Sequence, residues 1–65
     1  MSAIVDRFPT KARVSAGSRV LTVEERDTHP AYGWSIFEGR RWLRAVRDME
    51  DGITVARTLL ASVPA

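Results

Sequence analysis

Tyr32-Gly33-Trp34-Ser35-Ile36-Phe37-Glu38-Gly39-Arg40-Arg41-Trp42-Leu43-Arg44-Ala45-Val46-Arg47 is the stretch on which the fold turns, because it can be read in two ways. As a hairpin it turns at Glu38-Gly39 between two strands of six to eight residues. As a helix it starts at Ser35, with Ser35-x-x-Glu38 as a capping box, and stops at Asp51-Gly52. The spacings Arg44–Asp48 and Arg47–Asp51 would support that helix by about 0.2–0.5 kcal/mol each. Two features favour the hairpin. Tyr, Trp, Ile and Phe gathered around Gly33 suit a strand better than a first helical turn, and Gly39 inside that turn would cost about 1 kcal/mol.

Working back toward the start, Ala12, Val14 and Ala16 alternate with Arg13 and Ser15, which is the period of a half-buried strand. Gly17-Ser18 follows, and a glycine at the first central position signals a two-residue type II′ turn. Arg19-Val20-Leu21-Thr22-Val23-Glu24-Glu25-Arg26 is rich in β-branched residues and reads as the next strand. Asp27-Thr28-His29-Pro30 reads as a loop. The stretch to Pro9 shows no sustained period. Ile4, Val5 and Phe8 are expected to tuck against the core or to dock on another chain, with residues 1–10 as a mobile arm.

Toward the other end, Asp48 is a good N-cap, and Glu50 and Asp51 place acids where the helix dipole favours them. Ile53, Ala56, Leu59, Leu60 and Val63 then fall on one stripe, and Pro64 ends it. This predicts an amphipathic helix of about four turns, with Gly52 as its weak point. The expected fold is therefore α+β: one domain over 1–65, with an antiparallel sheet of three or four strands packed on a C-terminal helix.

If the hairpin turns at Glu38-Gly39, Ile36 lies opposite Arg41, Trp34 opposite Leu43 and Tyr32 opposite Ala45, all on the apolar side facing the helix. The other side then carries Phe37 opposite Arg40, Ser35 opposite Trp42, and Gly33 opposite Arg44. Phe37, Arg40, Trp42 and Arg44 are the candidate binding residues, since Trp and Arg are enriched at binding hot spots. The competing structural reading packs Trp42 under the N-terminal arm or under the Lys11–Ala16 strand.

Composition narrows the chemistry. The chain of 65 residues has no cysteine and one histidine, His29, so neither a disulfide nor an ordinary zinc site is expected. A nucleophile needs a base and an orienting group; the base would have to be His29, which in a Thr-His-Pro loop reads as a plain polar turn residue. Glu24 and Glu25 are strand neighbours that point to opposite faces, so they make no carboxylate pair. Asp48, Glu50 and Asp51 lack EF-hand spacing, and no glycine run cradles phosphate. The expectation is a protein that is not an enzyme and has no cofactor, metal or small-molecule substrate. No apolar run reaches the length of a membrane span, and the start lacks the pattern of a signal peptide. The protein is thus expected to be cytoplasmic.

Net charge is +2, and nine of the ten basic residues are arginine. A chain this small is only marginally able to bury a core, which makes self-association attractive. The expected partner is another protein or a second copy in a homodimer. The alternative is a small DNA-binding module using the same sheet face.

Gly33-Trp34-x-Ile36-x-x-Gly39, followed by Asp48-Met49-Glu50-Asp51 and Ala56-Arg57, resembles small bacterial and phage sheet-plus-helix domains of unknown function. Over residues 32–62 the layout is similar to that of the arm-site DNA-binding domains of tyrosine recombinases. That resemblance implies a three-stranded sheet whose face enters the major groove. The chain departs from it in lacking the dense Lys/Arg of those strands. In size it also resembles phage-encoded proteins that bind and inhibit a host protein, including antagonists of bacterial defence complexes.

Overall fold

The computed structural model describes residues 3–26 and 32–62. Five antiparallel strands precede one helix: β1 (Ile4–Arg7), β2 (Lys11–Ala16), β3 (Arg19–Glu25), β4 (Trp34–Glu38), β5 (Arg41–Val46) and α1 (Met49–Ala61). Sheet order follows chain order, so each strand pairs with its successor and β1 and β5 form the two edges. The α+β class and the C-terminal helix are as expected. The strand number is not: the sheet has five strands because the expected arm supplies β1.

Each hairpin has a local cause. Phe8 N–H donates to Lys11 O at 2.8 Å, which closes the β1–β2 turn with Pro9 at its first central position, where a fixed φ is an advantage. Gly17 has φ +61° in the β2–β3 turn, with Ala16 opposite Arg19. Gly39 has φ +62° in the β4–β5 turn. In both turns the second central residue keeps a negative φ, the pattern of a type II′ turn. Residues 34–46 are thus a hairpin and not a helix.

Its register differs from the expected one. Gly39-Arg40 is the turn, so Glu38 lies opposite Arg41 and Phe37 opposite Trp42. A bulge at Leu43 then shifts the pairing, which sets Ile36 opposite Arg44, Ser35 opposite Ala45 and Trp34 opposite Val46. One inserted residue exchanges the faces of everything after it. Val46 therefore enters the core and Ala45 leaves it, the reverse of the simple alternation.

The core lies between one sheet face and α1. Ala12, Val14, Leu21, Val23, Ile36 and Val46 from the sheet meet Ile53 and Ala56 from the helix, with Trp34, Leu43, Leu59 and Leu60 packed around them. Leu59 and Leu60 are half-buried, and the deepest helical positions are Gly52, Ile53 and Ala56. Asp48 caps the helix by accepting from Asp51 N–H at 2.8 Å, and the Asp51 carboxylate accepts from Arg47 N–H at 3.1 Å. The helix is described to Ala61. The expected contribution of Val63, the stop at Pro64 and the 27–30 loop lie outside the described residues.

Two bidentate ion pairs lace the periphery. Arg7 donates to both oxygens of Glu50 at 2.9 and 3.0 Å, tying β1 to the first turn of α1. Arg19 does the same to Glu38 at 2.9 Å twice, joining β3 to β4 at the hairpin end.

Candidate functional site

Helix α1 covers one face of the sheet and leaves the other open. The open face can be followed row by row through the pairing. One row runs Asp6, Arg13, Thr22, Phe37, Trp42 from β1 to β5. The next row, toward the hairpin turns, runs Ile4, Ser15, Val20. A third, on the other side, runs Lys11, Glu24, Ser35, Ala45.

Trp42 is the dominant feature of this face. It is 56% exposed on β5, immediately before the bulge at Leu43. Its cross-strand neighbour Phe37 is half-buried, and the Arg26 guanidinium stacks on the Phe37 ring at 4.8 Å from the centroid. Arg26 also reaches Glu24 at 3.3 Å. One face of the Phe37 ring is therefore occupied, whereas Trp42 presents a large apolar surface to solvent.

Val20 is diagonal to Phe37 across the β3–β4 pairing and is 42% exposed, and Ile4 in the same row as Val20 is 65% exposed. Trp42 and Phe37, with Val20 diagonal to Phe37, form an apolar patch, and Ile4 lies apart from it across Ser15 of β2. Val20 did not stand out in the sequence, because an outward β-branched residue looks like any other residue of a strand, and Ile4 was read only as part of an arm without period. The signal lay in their parity: Val20 alternates with Leu21, and Ile4 with Val5.

The four candidate residues do not share one face. Phe37 and Trp42 lie side by side on the open face. Arg40 occupies the turn and is exposed. Arg44 pairs with Ile36, so the bulge carries it to the helix side of the edge strand, where it too is exposed. The competing reading of Trp42 as buried under the arm is overturned by the sheet order, because β1 and β5 are opposite edges and β3 and β4 separate β2 from β5.

The ionisable groups near the hairpin end are partly committed. The Arg19 guanidinium, hydrogen-bonded to Glu38, holds that carboxyl below the ordinary glutamate range, and the charge of Arg41 acts in the same direction. Arg7 holds the Glu50 carboxyl down by the same means. Among the described residues, no three His, Cys, Asp or Glu side chains gather in a way that could hold a metal ion. No helix among them is long and apolar enough to cross a membrane.

No protein family, no curated protein and no solved structure matches this chain. The site must therefore be read from its own geometry.

Proposed function

We propose that this protein is a non-enzymatic recognition module that binds another protein through the open sheet face, with Trp42 as the anchor. The observation that carries the reading is a 56% exposed tryptophan on β5, beside Phe37 and on the face opposite the helix. Burying such a ring contributes more than burying any other side chain. Clusters of this kind, rimmed by polar groups such as Arg13, Thr22 and Glu24, mark contact surfaces. The fold supports the role mechanically: the aromatic pair rides on the sheet, whose far side is locked to α1, so little order is lost on binding. Inhibition of a host or defence protein, the role implied by the phage-type resemblance, would need only occlusion of a partner surface in this way.

The test is Trp42→Ala, followed by melting, light-scattering mass and co-purification from the source cell. Because the ring is exposed, folding stability should change by no more than about 0.5–1 kcal/mol. Association should weaken by about 2 kcal/mol or more, as for a central hot spot. A variant that associates normally but melts like one with a core deletion sinks the reading.

A further inference from the structure

The charge of this protein is polarised along one sheet edge. Residues 40–47 hold four arginines and no acid, while the remaining six basic residues are outnumbered by eight acids. The segment thus carries +4 and the rest of the chain −2. Arg40 lies in the β4–β5 turn, Arg41 and Arg44 lie on β5, and Arg47 follows it. All four are exposed.

Among the described residues, none of these four guanidiniums has an ion-pair or side-chain hydrogen-bond partner. The nearby acids are shared with other groups, although Glu38 also lies opposite Arg41 and feels its charge. Glu38 is held by Arg19 and Glu50 by Arg7. Asp48 and Asp51 accept from the backbone N–H groups of Asp51 and Arg47. The edge strand therefore carries exposed arginines outside any ion pair, Arg40 in the turn and Arg41 and Arg44 on the helix side, with the exposed Trp42 on the open face of the same strand.

We propose that the β5 edge recognises an acidic protein surface that reaches round the edge strand, with partner carboxylates meeting Arg40 at the turn and Arg41 and Arg44 on the helix side, and an apolar socket taking Trp42 on the open face. This rests on the reading of Trp42 as the anchor and names the chemistry of what it meets. Three other occupants fit less well. A second copy docked about a two-fold axis would place this patch on itself, arginine against arginine. An added β-strand would meet the bulge at Leu43, which interrupts the edge ladder. A single-stranded nucleic acid stacks its bases on successive open rings. Here the Phe37 ring is already stacked by Arg26, and Asp48, Glu50 and Asp51 close the basic run just beyond Arg47. Guanidinium forks match carboxylates in bidentate pairs, and charge complementarity of this kind selects the partner and speeds encounter.

The experiment is selection of a random peptide display library on the full chain, with a thymidine oligonucleotide titrated in parallel. Enriched peptides should be net acidic with at least one bulky apolar residue. Their binding should fall roughly tenfold or more in Arg41→Glu/Arg44→Glu and weaken with salt. Circular dichroism and melting establish that this variant folds. If it does not, Arg41→Gln/Arg44→Gln replaces it, with a smaller expected loss. Neutral or basic peptides whose binding depends on Trp42 would overturn the acidic partner while leaving the Trp42 anchor intact. Acidic peptides lost with the arginines but indifferent to Trp42→Ala would instead remove the anchor and keep the charge recognition. Enrichment that depends on neither overturns both. Tighter binding of the oligonucleotide than of any selected peptide, with a steep salt slope, would overturn the protein partner in favour of nucleic acid.

Discussion

Gly52 of α1 lies against Val23 of β3 so closely that a Cβ at position 52 would overlap Val23 Cγ1 and come within 3.1 Å of Val46 Cγ2. The glycine that weakens the helix in isolation is the point where helix and sheet touch. Val23 is fully buried, so it has no room to yield.

Gly52→Ala should therefore destabilise the protein, against the gain of about 1 kcal/mol that alanine brings to a helix interior. Overpacking costs about 1–3 kcal/mol, and the balance should be a net loss in urea unfolding. In a Val23→Ala background the same substitution should cost less, since the clashing methyl is gone. Equal effects in both backgrounds would show that the contact is not what excludes a side chain there.

Gly39 makes the opposite kind of demand. Nothing lies within 4 Å of where its Cβ would be, yet its φ is +62°. Gly39→Val should cost about 1–2 kcal/mol through the backbone alone, and Gly39→Ala about as much, since either puts a Cβ at a positive φ without a neighbour to clash with. Unchanged melting of both variants would mean that the turn does not hold this conformation.

Within the helix, depth should decide the cost of truncation. Ile53 is 2% exposed, whereas Leu59 is half-buried near the described end of the helix. Ile53→Ala should lose about 2–5 kcal/mol, and Leu59→Ala should fall at or below the lower end of that range. A larger loss at Leu59 than at Ile53 would show that depth of burial does not set the cost along this face.

The two bidentate pairs predict an acid limb of instability. Glu38 and Glu50 titrate below the ordinary glutamate value of 4.5 when folded, each mainly because an arginine hydrogen-bonds its carboxylate. Their stabilisation is complete above that value and is lost as pH falls through the lower folded values. The partners Arg7 and Arg19 are raised from an already very basic value, so they stay charged throughout, and the pairs are lost only as the glutamates protonate. Melting temperature should thus be flat near neutrality and fall below about pH 5. Glu38→Gln/Glu50→Gln should flatten that fall, and an unchanged acid limb would show that these carboxylates do not govern it.

Several elements were legible because their causes are local. Gly17-Ser18 marks a type II′ turn by residue type alone, the β-branched run after it marks β3, and Asp48 with Asp51 marks the helix start. The two-residue period of β2 and the helical spacing of Ile53, Ala56, Leu59 and Leu60 likewise name their buried faces without reference to anything distant. Even the outward position of Phe37 and Trp42 follows from alternation on either side of a glycine turn.

What the chain could not announce depended on neighbours far along it. β1 carries only one inward apolar residue in its four, Val5, and becomes a strand because β2 offers it an unpaired edge; Pro9 was its one local sign. The bulge at Leu43 has no residue signature, since it arises when β5 must keep pairing with β4 while also seating Leu43 and Val46 over the helix. That one-residue shift moved Arg44 off the open face and Val46 into the core. The sequence by itself determined four of the five strands, the helix, the Gly17-Ser18 turn and the outward side of Phe37 and Trp42. Only tertiary packing decided the fifth strand, the register past Leu43 and the gathering of unpaired arginines along one edge, because these are set by contacts between residues that no local pattern connects.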